Sequence, residues 1–211
     1  MKHLKIKVCG MKYPDNINSL SALKPNYMGF IFYPPSKRFV GPDFQKSDLN
    51  GVDKEIDKTA VFVNAQLQEI IEFSNIYGFK TLQLHGDESP EFCKELRILG
   101  FIIIKAFGVD DDFDFKVLEP YVDKVDFFLF DTKTEHHGGS GKTFGWDILN
   151  KYNFEKPFFL SGGLSLENLS AIKEIENPYF YGVDLNSKFE FEPGSKNIEK
   201  LSSAFELIKN I

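Results

Sequence analysis

Eight short runs rich in β-branched, aromatic and aliphatic residues recur along this chain at intervals of about 20–30 residues. They occupy 4–8, 27–32, 58–63, 80–84, 101–107, 125–131, 157–161 and 179–185. Several are almost wholly apolar, as parallel strands covered on both faces must be. Segments with helical spacing lie between them. Leu67, Ile70 and Ile71 share one stripe; Leu166, Leu169 and Ile172 share another; Ile198, Leu201, Phe205 and Ile208 form the last. Ser89-Pro90-Glu91 reads as a helix start, with Phe92, Leu96 and Leu99 following on one side. Weaker patterns span 42–52 and 110–121. Eight strands alternating with about eight helices predict an α/β fold, a single (β/α)₈ TIM barrel over residues 1–211. An open, doubly wound sheet is the rival, and the even spacing favours the barrel. No linker or low-complexity stretch predicts a second domain.

Composition narrows the partners. The 23 Phe predict an aromatic core, and the net charge of −6 argues against nucleic acid. A small anion remains compatible, since it needs only a local positive site. Cys9 and Cys93 show no CxxC spacing, which argues against a disulfide scaffold or a zinc site. With no apolar leader and no apolar run approaching a membrane span, a soluble protein of a reducing compartment is expected, in the bacterial cytoplasm.

In a barrel of this kind, chemistry sits where the strands end at their C-terminal side. Cys9 follows the first run, His85 the fourth, Asp131 closes the sixth and Ser161 the seventh. These residues are predicted to converge on one mouth. LSGGLS (160–165) predicts a turn whose Gly162 and Gly163 let backbone N–H groups approach an anion, ahead of a helix. Asn186 and Ser187, after the eighth run, add donors to a predicted phosphate site, with a helix start near 196. Arg38, in the proline-restrained stretch 34–40, suits a substrate carboxylate. His85 either lines the pocket or ties down a neighbouring loop. GKT at 141–143 lacks the glycine a phosphate-binding P-loop needs at His136, so 138–146 reads as a Gly-rich lid instead. No nearby cysteine or acidic cluster completes a metal site with the adjacent His136 and His137, and Cys93 reads as a packing residue.

KVCG, PPSKRFV, LQLHG, FDT with GGSGKTFGW, LSGGL, and the VD…PG pattern at the eighth strand, in that order, resemble the phosphoribosylanthranilate isomerase family nearly end to end. The resemblance implies an Amadori rearrangement of N-(5′-phosphoribosyl)anthranilate without cofactor or metal. It implies Cys9 as the base that removes the C2′ proton and Asp131 as the acid that protonates the ring oxygen. It places Arg38 near the anthranilate moiety, and Gly162, Gly163 and the loop after strand 8 at the phosphate. The partner implied is a small phosphorylated molecule; any oligomeric partner stays open. Two departures stand out: Ser36-Lys37-Arg38 where the family favours Ser-Pro-Arg, and Lys188 where it favours glycine. A left-handed backbone at 188 would strain a lysine. Another sugar-phosphate isomerase and a non-catalytic phosphate binder are the competing functions.

Overall fold

The computed structural model describes residues 4–133 and 145–211. Eight parallel strands close a barrel in chain order: β1 Lys5–Cys9, β2 Tyr27–Ile31, β3 Asp57–Phe62, β4 Thr81–Leu84, β5 Ile102–Val109, β6 Phe127–Thr132, β7 Phe158–Leu160 and β8 Phe180–Leu185. β1 pairs with both β2 and β8, which removes the edges of the sheet. All eight expected strands form within two residues of their sequence positions.

β6 shows why these runs look continuously apolar. Phe128 and Phe130 point outward into the main core, whereas Leu129 points inward to a smaller cluster with Ile104, Ala106 and Phe159. Alternation persists, but both faces are dry. Much of the outer core is aromatic: Phe32 stacks on Phe73 at 5.1 Å, and Phe130 packs on Phe158 at 5.1 Å. Burying each such ring stabilises the fold by about 2–3 kcal/mol, with about 0.5–1.5 kcal/mol more from the ring pairing.

Four α-helices cover the barrel among the described residues: α1 Pro14–Ala22, α2 Leu67–Tyr77, α3 Pro90–Ile98 and α4 Ile198–Lys209. Ser89 caps α3 by accepting from Phe92 N, as the sequence predicts, and Asn197 caps α4 by accepting from Lys200 N. The expected set of about eight helices is not realised. Short 3₁₀ turns at Lys46–Leu49, Phe115–Tyr121, Trp146–Lys151 and Leu169–Glu174 take the remaining places. Pro120 removes a donor within the second. Before the fourth, the Asn168 side chain bonds back to Ser165 N and Gly163 O, which diverts the chain from starting an α-helix at the Leu166, Leu169, Ile172 stripe. After β8 comes a turn at Ser187–Phe189 and a hairpin, β9 Glu190–Glu192 and β10 Ser195–Lys196, where a helix start was expected near 196; α4 begins two residues later.

Candidate active site

Strand pairing carries the inward face around the barrel: Cys9 sits beside Gly29, Gly29 beside Thr59, and Thr59 beside Thr81. Lys7, two residues before Cys9, shares that face and pairs with Asp184. At the C-terminal end, Cys9 closes β1 and is 4% exposed. Gly29 gives it room, since a Cβ there would stand 2.7 Å from Cys9 Sγ. Asp131 lies one residue before the end of β6 and is 8% exposed. Its Oδ1 accepts from Thr132 N at 2.9 Å. Gly162, at φ +87°, presses against it: a Cβ there would lie 2.7 Å from Asp131 Oδ1 and 2.4 Å from Thr132 N. Cys9 and Asp131 thus each depend on a glycine from a neighbouring strand or loop for space.

His85 follows β4, and its Nε2 is 3.5 Å from Asp131 Oδ2. Gln83 Nε2 lies 2.9 Å from His85 Nδ1. An amide N–H in that position makes Nδ1 the acceptor and leaves Nε2 to carry the ring proton toward Asp131. A cavity of about 370 Å³ opens beside this pair, lined in part by His85, Phe107, Tyr121, Asp131 and Lys133. Arg38 crosses from the loop after β2, and its Cδ would be 2.7 Å from a Cβ at Gly10. Its guanidinium clamps Glu190 on β9: Nε donates at 2.9 and 3.0 Å, and Nη2 at 2.7 Å. Arg38 therefore enters the mouth already oriented by a carboxylate.

Gly162 and Gly163 both hold positive φ, at +87° and +67°. Asn186 follows β8, but its side-chain oxygen already accepts from Lys196 Nζ at 2.6 Å. Ser187 opens the next 3₁₀ turn, half-buried. Lys188 is exposed within that turn and is not among the residues with positive φ, so no strain arises there. Ser161 N donates to Phe130 O, which fixes the start of the β7 loop against β6. Most of the 138–146 stretch, with His136 and His137, lies outside the described residues. Cys93 is fully buried on α3, where burial pushes its thiol up to about 12. No helix among the described residues is long and apolar enough to cross a membrane.

Sequence reading offers Lys7 or substrate contacts as what could favour a Cys9 thiolate, but misses Asp184, Lys196 and Glu190 around it. Lys7 Nζ donates to Asp184 Oδ2 at 3.0 Å, both side chains being buried. Lys196 Nζ donates to Glu190 Oε1 at 2.6 Å. Burial is the main influence on Cys9 and pushes its thiol up; Lys7 opposes it, Asp184 adds to it and Lys196 opposes it. Burial also works against the Lys7 charge, but Asp184 and Cys9 outweigh it and hold that ammonium above its usual range. Asp184 is pushed up by burial, against the pull of Lys7. Its Oδ1 is buried with no hydrogen-bond partner. The available signal was a lysine two residues before the cysteine, hence on the same face.

A family model described as N-(5′-phosphoribosyl)anthranilate (PRA) isomerase matches residues 6–207. The chain belongs to that family. A curated PRA isomerase of Parabacteroides distasonis is 47% identical over 206 residues, covering 96% of this chain and 92% of that protein. The crystal structure of the Thermus thermophilus isomerase superposes with a TM-score of 0.83 at 25% identity, covering 98% of this chain and 99% of that one. A PRA isomerase solved in complex with reduced 1-(o-carboxyphenylamino)-1-deoxyribulose 5-phosphate gives 0.81 at 25% identity, covering 99% and 100%. The closed eight-stranded barrel is thus the architecture of the solved PRA isomerases.

Proposed function

We propose that Cys9 and Asp131 are the proton-transfer pair with which this chain performs its family's reaction. That reaction is the isomerisation of N-(5′-phosphoribosyl)anthranilate to 1-(2-carboxyphenylamino)-1-deoxyribulose 5-phosphate in tryptophan biosynthesis. The observation that carries the pairing is spatial. A thiol and a carboxylate stand at the same barrel end, each with a glycine cleared against it.

Asp131 gives a proton to the furanose oxygen as the C1′–O bond breaks, and the anthranilate nitrogen lone pair forms the C=N bond. Cys9 then takes the C2′ proton, and the electrons left behind form the enol that becomes the ketose. His85 adjoins the acid and serves the substrate from the cavity side. Arg38 commits its Nε–Nη2 edge to Glu190 and turns its remaining donor toward the anthranilate carboxylate. Gly162, Gly163, Asn186 and Ser187 surround the phosphate, with backbone N–H groups as the principal donors. In this reading the enzyme is cytoplasmic, and residues 1–211 act as one catalytic barrel without cofactor.

The test follows anthranilate fluorescence with substrate made fresh from anthranilate and phosphoribosyl pyrophosphate. Cys9→Ala and Asp131→Asn are each expected to lower turnover by about 10²- to 10⁴-fold in a folded protein. Turnover at the unmodified level in either variant removes that residue from its role.

A further inference from the structure

Two buried lysines flank Cys9, and they are paired differently. Lys7 meets Asp184 one to one at 3.0 Å, so its charge is matched. Lys196 meets Glu190 at 2.6 Å, but Arg38 grips the same carboxylate through both of its oxygens. Two cations share one anion, leaving one positive charge in excess. This cluster lies over Gly10, the residue after Cys9: a Cβ there would meet Arg38 Cδ at 2.7 Å and Asn186 Oδ1 at 3.0 Å. Lys196 is 0% exposed, and Asn16 on α1 holds its backbone by two bonds, of 2.8 Å to its oxygen and 2.7 Å from its nitrogen.

We propose that Lys196 is a positioning residue that favours the Cys9 thiolate against the cost of its burial, through a charge left unmatched because Arg38 competes for Glu190. This rests on the reading of Cys9 as the base. Among the other charged groups, Lys7 acts on the thiol most strongly and Asp184 opposes it. Lys7 and Asp184 oppose each other from β1 and β8, and Asp131 stands across the mouth with His85 beside it. Lys196 adds to Lys7 a second cation, and its own carboxylate partner is shared with Arg38. Burial lowers its own pKa to about 8, with Glu190 resisting, so it remains mostly charged at neutral pH.

The experiment measures kcat/KM against pH, and separately titrates the thiolate by its ultraviolet absorbance as a difference against Cys9→Ser. Lys196→Met is expected to move both curves to higher pH by about one unit or more. Lys196→Arg is expected to restore most of the shift. Lys196→Gln, which keeps a polar side chain and removes the charge, is expected to move both curves the same way as Lys196→Met; a purely structural role would leave the thiolate titration in place. Unshifted curves in a folded Lys196→Met or Lys196→Gln overturn the proposal. If Lys196→Met does not fold, the Lys196→Gln curves decide. Turnover surviving in Cys9→Ser overturns the base assignment instead, and the thiolate titration still decides on Lys196.

Discussion

On the β5–β7 side the barrel interior is filled by Ile104, Ala106, Leu129 and Phe159, sealed below by Tyr27, Phe127 and Tyr181. On the β8–β1–β3–β4 side the same layers hold Asp184, Lys7, Thr59, Thr81 and Gln83, all buried. One half lowers the free energy by removing apolar surface from water. The other spends part of that gain on keeping charges dry, because a buried ion pair seldom does better than a hydrophobic filling of equal volume. Cys9 stands above the second half, where the field of fixed charges can act on it. A barrel can hold a reactive thiol in this way because its other side supplies the packing.

The contrast breaks most visibly at Phe159. Phe159→Ala is expected to cost about 3–5 kcal/mol of stability, while kcat of the folded fraction stays close to that of the parent. A denaturant curve beside an active-site titration checks both; a matching fall in kcat would mean the apolar half also shapes the chemistry. Lys7→Met leaves Asp184 buried and alone, at a cost of about 3 kcal/mol or more. Adding Asp184→Leu should return most of that stability, and a double variant no better than the single one would show that the pair holds more than its own charges.

Glu190 tests the charged side by pH. Burial raises its carboxyl, but Arg38 and Lys196 prevail and hold it below the usual range. The unfolded state then binds the proton more readily, so this stabilisation is present above the unfolded pKa and fades as pH falls through the lowered one. Glu190→Gln should flatten the acid limb of stability against pH; an unchanged limb would place that dependence elsewhere. The smallest effect is expected at Thr81→Val, which removes a 2.8 Å bond to Asp57 for about 1 kcal/mol. A larger loss would show that the polar layer acts as one network.

The strands were legible because both of their faces are dry, which leaves little besides β-branched and aromatic residues in each run. Cys9 and Asp131 were legible as polar residues ending such runs. Lys7 was harder: Lys5-Ile6-Lys7-Val8 has the alternation of a half-exposed strand, and only closure of the sheet turns the lysine face inward. Lys196 and Glu190 could not be read at all, because their meaning depends on Arg38, more than a hundred residues away in the chain. The helical coat was overstated, since stripes such as Leu166, Leu169 and Ile172 fit a 3₁₀ turn as readily as an α-helix.

The near-complete enclosure of Cys9 bears on the fate of one hydrogen atom. In the proposed mechanism Cys9 is the base, and a thiol carries a single proton, so a hydron taken from carbon has no siblings to mix with. Substrate deuterated at C2′ therefore acts as a clock. Label retained at C1′ of the ketose means that the enol is reprotonated while still enclosed, faster than solvent exchange. Label lost means that the hydron on sulfur exchanges with water before C1′ is protonated.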